Sequence, residues 1–446
     1  MATCTLHIAM FPWFAMGHIT PFVQLSNKLA ENGHKISFFI PTKTQNKVSH
    51  LNLHPHLLEF IPLNIKVEGL PDYVETTEDV ISADHYPFLF KAYDFTQQQI
   101  ESALRRLKPD FIFYDFSHWL PSLVKPLRIK SVWFSTTSAM AYTQIFSRRV
   151  AGKKRLTEAP EIYPGSSSVD LTPFVLKDLV QADIEFNGNL SAMDRVFSSM
   201  IDSEALCFPA SRVIDGPFLD YFESHLNKPV LILGSILTQT SNAQLEVKWA
   251  EWLSCFEKGS VVYCAFGTEC TLKKDQFEEL LLGLELTGLP FLARLKAPKG
   301  VESVEEALPE GFKERVRGRG VVHGHRVQQQ LILAHPSVGC FVSHCGYGSM
   351  SESLMADCQI VSIPQYGDQH FNSKFMSQGL KVSVEVERRE DGWFSRESVR
   401  KAVKSVMDDG EEIRANRHKL SQLLLAEGCQ STYINNFINK LQDVRK

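Results

Sequence analysis

Three observations predict an α/β fold built from two doubly wound parallel sheets. Short apolar runs alternate with stretches of helical periodicity along nearly the whole chain. The first strand, helix and strand follow one another within about 35 residues, the length of a βαβ unit. The alternation then stops at a polar stretch, GSILTQTSNAQ, and restarts beyond it. At 446 residues the chain has room for two such domains. Its composition is 44% hydrophobic and 22% charged, which excludes collagen-like and disordered classes. A net charge of −4 without a basic excess argues against a nucleic-acid partner.

The elements follow in order. Residues 6–14 are apolar and aromatic, as a buried strand would be, and 17–21 (GHITP) reads as a turn. Phe22, Leu25 and Leu29 recur at helical spacing until Gly33, and KISFFIP at 35–41 is the next strand. A helix is expected at 97–107, a strand at 111–116, a helix at 120–127 and a strand at 131–135. Phe88, Phe90, Tyr93 and Phe95 fit either helix packing or the wall of an apolar pocket. Residues 148–190, with prolines at 160, 164 and 173, read as a long surface excursion. Strands at 204–208 and 230–233 close the first half, and 235–245 is the expected linker. In the second half, strands are expected at 260–266, 291–295, 320–323, 340–343 and 359–363, with an amphipathic helix at 275–287. The two halves are expected to face each other across a cleft.

Two places carry chemistry. In the first, the strand near 338–342 runs into His344-Cys345-Gly346-Tyr347-Gly348, and a helix is expected from about Ser349 with Glu352 completing a capping box. Glycines let backbone amides approach a ligand, and a helix N-terminus suits phosphate. Glycine-rich turns are common at this point of any α/β fold, so the turn alone leaves phosphate binding open. In the second, His18 follows the first strand and Asp115 ends the strand FIFYD, both at the carboxyl edge where open α/β sheets bind ligands. By itself the histidine is as readily plain surface, and the aspartate a strand-end cap. His323, His325, His335, His344 and Cys345 match no usual zinc spacing.

The spacing across residues 326–369 resembles the 44-residue signature box of plant UDP-dependent glycosyltransferases. His335, Gly339, Phe341, His344, Cys345, Gly346, Ser349, Glu352, Pro364, Asp368 and Gln369 stand in register with it. The segments FPWFAMGHITPF, YDFSHWLPSL and CAFGTECTL look most like the subgroup that adds a sugar to a sugar already on a flavonoid or other phenolic. The resemblance implies the GT-B fold. It places an acceptor-binding domain at 1–234, the linker at 235–245, a UDP-sugar-binding domain at 246–425 and a helix at 426–446 packing back on the first domain. It also implies site roles. Arg326 and Gln329 lie at the uracil, Glu352 at the ribose hydroxyls, and Val327 also belongs to the UDP-sugar site. Thr268, His344, Gly346, Tyr347, Gly348 and Ser349 surround the diphosphate; Asp368 and Gln369 hold the sugar; Thr136 touches the transferred sugar. The sequence departs from the box at three positions. Arg326 replaces its opening Trp, and Tyr347-Gly348 replace a Trp-Asn pair. A guanidinium plane can stack on uracil in place of the indole.

The mechanism so implied is a single displacement with inversion. His18 removes the acceptor proton, Asp115 orients it, and UDP leaves. Glucose and rhamnose are the expected sugars, and flavonoid, anthocyanin or phenylethanoid glycosides the expected acceptors. The competing expectations are transfer directly to an aglycone and a UDP-binding protein without turnover. No cofactor or metal is expected, since no Asp-x-Asp motif occurs. Nine cysteines without a CxxC pair, and no Lys or Arg before Lys28, suggest a reduced, cytoplasmic monomer with neither leader nor membrane span.

Overall fold

The computed structural model describes residues 5–150, 174–175, 190–234, 244–426 and 429–445. The expected excursion at 148–190 and linker at 235–245 therefore fall almost wholly outside the described residues. The described chain forms two compact units. The first takes in residues up to Phe146, 190–234 and the C-terminal helix; the second takes in 244–426 with Phe174 and Val175.

The first unit is built on seven parallel strands: β1 (His7–Phe11), β2 (Lys35–Pro41), β3 (Leu58–Leu63), β4 (Phe111–Tyr114), β5 (Lys130–Phe134), β6 (Ala205–Phe208) and β7 (Val230–Ile232). Their order is β3-β2-β1-β4-β5-β6-β7. Alternate side chains cover both faces, which is why the strands read as unbroken apolar runs. Ile8, Met10, Ile36, Phe38, Phe111 and Phe113 share one core with Phe437, Ile438 and Leu441 of the C-terminal helix, Cys429–Arg445. Ala9, Phe11, Phe39, Ile112 and Tyr114 share the other with Tyr93, Ile100 and Leu104. The C-terminal helix is further tied down by Tyr433, whose hydroxyl accepts from the Arg212 N–H at 3.0 Å, and by an Arg445–Asp110 ion pair at 2.8 Å.

The second unit repeats the plan with β8 (Val261–Ala265), β9 (Phe291–Arg294), β10 (Gly320–His323), β11 (Val338–Ser343), β12 (Gln359–Ser362) and β13 (Val384–Glu385). All pairings are parallel, in the order β10-β9-β8-β11-β12-β13. One face packs on helices Lys274–Leu286 and Arg396–Asp408, the other on Trp249, Leu253, Ile332 and Leu333. In each sheet the strand order reverses once, between β1 and β4 and between β8 and β11. Loops diverge at those two points and leave a crevice at the carboxyl edge.

Several local expectations are corrected. The predicted turn at 17–21 is already helix: Met16–Glu31 runs through Pro21. Proline in the second turn costs one hydrogen bond, and the residue four places back, whose carbonyl its ring would crowd, is Gly17. The capping box at Ser349 does not form, because the helix starts two residues earlier at Tyr347 with Gly346 as N-cap. Strands β3 and β13 were not expected; both lie at sheet edges, where β3 tolerates Pro62 and β13 has two residues. Of the four aromatics near residue 90, Phe90 and Tyr93 are buried in the core while Phe95 is exposed.

One buried carboxyl makes stability depend on pH. Asp215, in the first turn of helix Arg212–Leu226, is buried with Oδ1 unpartnered and Oδ2 accepting only from the Ser211 N–H at 3.3 Å. Burial pushes its pKa up to about 7. From about pH 4 to 7 the unfolded chain has lost this proton while the folded chain keeps it. Stability therefore falls as pH rises, by up to about 1.4 kcal/mol per unit. Asp215→Asn keeps an acceptor for Ser211 and removes the charge. Its urea midpoint is expected to exceed that of the parent at pH 8, with the gap narrowing toward pH 5; an equal gap at both would show that Asp215 does not titrate there.

Candidate active site

In the first unit, β1 and β4 deliver His18 and Asp115 to the same edge. His18 lies in the first turn of the helix after β1, and Asp115 is the residue after β4. Asp115 Oδ1 accepts from the backbone N–H of Trp13 (2.7 Å) and Phe116 (2.8 Å), and its own carbonyl accepts from Trp133 Nε1 at 2.9 Å. With Oδ1 so engaged, Oδ2 is aimed at His18 Nδ1, 2.7 Å away. An ionised carboxylate only accepts hydrogen bonds, so Nδ1 carries the imidazole proton and Nε2 keeps its lone pair. Asp115 is 3% exposed and the His18 side chain 22%, so the dyad shows solvent the basic end of the ring.

Thr136, one residue beyond the loop start after β5, is also brought here. Its Oγ1 lies 3.0 Å from His18 Nδ1. Phe116, partly exposed, meets the His18 ring edge-on at 5.4 Å and stacks on Trp13 at 5.3 Å, and Trp13 stacks on Phe90 at 4.4 Å. The dyad thus sits beside an aromatic wall. Behind it, Arg195 grips Asp94 with two 2.7 Å bonds and lies over the Phe90 ring.

In the second unit, the loops after β8 and β11 meet around His344. A side-chain carbon at Gly267 or Gly346 would fall 2.8 or 2.7 Å from His344 Nε2, so both neighbours must be glycine for the ring to lie between the loops. Burial takes the His344 pKa down to about 4, the Ala265 carbonyl opposing this and the Arg294 charge adding to it. At neutral pH His344 is therefore uncharged. The helix Tyr347–Met355 begins immediately after, with no side-chain cap on its first N–H groups. Its far end is met by the buried Arg417, which donates to the carbonyls of Ser353 (3.2 Å) and Ala356. A cation at one end and no side-chain cap at the other suit the N-terminus to an anion.

Glu352, on the next turn, accepts from Gln329 Nε2 (2.6 Å) and Gln330 Nε2 (3.0 Å). Burial raises its pKa and these two donors pull it back. Gln329 also donates to Ser349 Oγ at 3.2 Å and accepts from Tyr263 OH at 3.2 Å. Each Glu352 oxygen keeps a second acceptor direction for a vicinal diol. Arg326 is exposed at the mouth of this region, Val327 packs on the core beneath it, and Thr268 is half-buried on the β8 loop. Asp368 and Gln369 open helix Asp368–Lys374. Gln369 Oε1 is taken by the Gln365 N–H at 2.9 Å, so this side chain offers donors and Asp368 acceptors.

Sequence reasoning missed Gln330, Tyr263, Arg294 and Asn372. Arg294 ends β9 nearly buried, donating to the carbonyls of Gly267 and, at 3.2 Å, His325. A charged residue ending an apolar strand, as in FIFYD, was the available signal. Among the described residues no three His, Cys, Asp or Glu are placed to hold a metal ion, and no helix is long and apolar enough to cross a membrane. Phe174, from the expected excursion, belongs to the second unit, its ring meeting His370 edge-on at 5.4 Å.

Two Rossmann-like units, each a parallel sheet covered by helices, make the GT-B type fold of glycosyltransferases. The family model "UDP-glucoronosyl and UDP-glucosyl transferase" matches residues 254–426. The anthocyanidin 3-O-glucoside 2''-O-glucosyltransferase of Ipomoea nil is 50% identical over 99% of this chain and 98% of its own. The cyanidin 3-O-galactoside 2''-O-xylosyltransferase of Actinidia chinensis is also 50% identical, over the full length of both. Among solved structures, UGT73P12 of Glycyrrhiza uralensis superposes with a TM-score of 0.80 at 21% identity, covering 99% of this chain and 96% of that one. The chain belongs to the UDP-glycosyltransferase family, and within it is similar to the enzymes that add a sugar to a sugar.

Proposed function

We propose that this enzyme transfers glucose from UDP-glucose to the 2''-hydroxyl of an anthocyanidin 3-O-glycoside, with inversion at the anomeric carbon. The observation that supports the mechanism is the His18–Asp115 pair, with Nδ1 2.7 Å from the buried carboxylate. The acceptor follows from relatives at 50% identity whose names specify that position. Their donors are glucose and xylose, which favours glucose over the rhamnose also expected from the sequence.

In this reading the acceptor hydroxyl gives its proton to His18 Nε2 as its oxygen bonds to the anomeric carbon. The bond from that carbon to the β-phosphate oxygen breaks, and its electron pair leaves with UDP. Asp115 stabilises the imidazolium formed. Charge growing on the diphosphate meets the N–H groups of helix Tyr347–Met355 and the field of Arg294. Arg326 and Gln329 face uracil, Glu352 takes the ribose diol, and Asp368 with Gln369 takes the sugar. No metal is required for this balance.

The test is to incubate the purified chain with cyanidin 3-O-glucoside or cyanidin and, in turn, UDP-glucose, UDP-xylose and UDP-rhamnose. Products are read by mass spectrometry and by NMR of the new linkage. One hexose added at the 2'' position, β-linked and undiminished by EDTA, is the expected result. Transfer to cyanidin alone would overturn the acceptor assignment. UDP binding without turnover of any donor would overturn the activity.

A further inference from the structure

We propose that Asn372 is a positioning residue that ties the sugar-holding carboxylate of Asp368 to the diphosphate turn, so that one amide couples the two ends of the donor site. The inference rests on the roles of Asp368 and of that turn given above. Asn372 lies one helical turn beyond Asp368 and is completely buried. Its Nδ2 has two protons, and two acceptors are in reach: Asp368 Oδ2 at 2.9 Å and the Cys345 carbonyl at 3.0 Å.

The second acceptor lies at a strained point of the turn. Cys345 has φ +61°, the left-handed region that glycine adopts readily and other residues do not. Its N–H is held by Ser343 Oγ at 3.0 Å and its carbonyl by Asn372. In a planar trans peptide the C=O and the following N–H point in opposite directions. By fixing the Cys345 carbonyl, Asn372 therefore also fixes the direction of the Gly346 N–H, which enters the helix N-cap of the anion site. The other proton holds the Asp368 carboxylate in one rotamer. A shift at the turn is thereby felt at the sugar, and the reverse.

A double-mutant cycle tests this, with kcat/KM for UDP-glucose at saturating cyanidin 3-O-glucoside as the readout. Asn372→Ala is expected to lower it about 10- to 100-fold, as loss of a hydrogen bond to a charged group does. In an Asp368→Ala background the same change is expected to cost at least about threefold less than in the parent, since only the Cys345 carbonyl is left to position. Asn372→Asp keeps the shape and guards against misfolding of the alanine variant. Its loss is expected to shrink relative to the parent from pH 8 to pH 6, as two adjacent carboxyls come to share a proton. Equal costs of Asn372→Ala in both backgrounds, or a pH-independent loss in Asn372→Asp, would reduce Asn372 to packing. A wild-type kcat/KM in Asp368→Ala alone would instead overturn the sugar-holding role of Asp368.

Discussion

Replacing His18 by alanine is expected to lower kcat about a thousandfold while leaving UDP affinity unchanged. An acceptor hydroxyl is a poor nucleophile at neutral pH, and a positioned base contributes about 10²–10⁴ in rate. His18 is the group at the β1/β4 switch point with an open basic nitrogen whose other nitrogen is held by a buried carboxylate. The residues proposed to face UDP belong to the second unit and His18 to the first. The measurement is steady-state turnover beside calorimetric titration of UDP. Retention of a tenth or more of the parent kcat would rule His18 out as the base.

The second large effect is expected from Asp115→Asn, a change of one atom. Oδ1 must remain an oxygen, because two backbone N–H groups, from Trp13 and Phe116, converge on it. The new amide nitrogen is then forced toward His18 Nδ1 and donates to it. Nδ1 must present a lone pair, so the proton moves to Nε2, where it blocks proton uptake from the acceptor. The fold is retained and the tautomer is wrong; kcat is expected to fall by about 10³–10⁴. Nitrogen-15 NMR of the imidazole reports the move from Nδ1–H to Nε2–H. An unchanged tautomer with full activity would remove Asp115 from the mechanism. Thr136, 3.0 Å from the same Nδ1, lacks the charge to compensate for this loss.

The central strands were legible because both faces of each sheet are covered, so β1, β2, β4 and β11 read as continuous apolar runs. Edge strands were not. In β3, Glu59 and Pro62 break the apolar run, and only pairing with β2 makes the segment a strand. The entry to helix Met16–Glu31 was misread because proline weighs heavily in a local pattern, while the folded helix carries Pro21 in its second turn. Positions within the signature box were legible because chain-local turn geometry fixes their spacing. Their partners were not: Asn372 reaches back 27 residues to Cys345, and Arg294 joins loops that follow two other strands.

By itself the sequence determined the class of fold, the two sheet edges that carry chemistry and the residue types placed there. Periodicity and turn chemistry are local properties, and a run such as FIFYD announces a strand and what ends it. Only the tertiary structure decided the state of those residues. The base proposed here, His18, depends on Asp115, 97 positions away, whose Oδ2 lies 2.7 Å from its Nδ1. His344 is neutral, with a pKa near 4, because two loops and Arg294 close around it. Proton placement depends on desolvation and on hydrogen bonds from distant segments, and those exist only once the chain has folded.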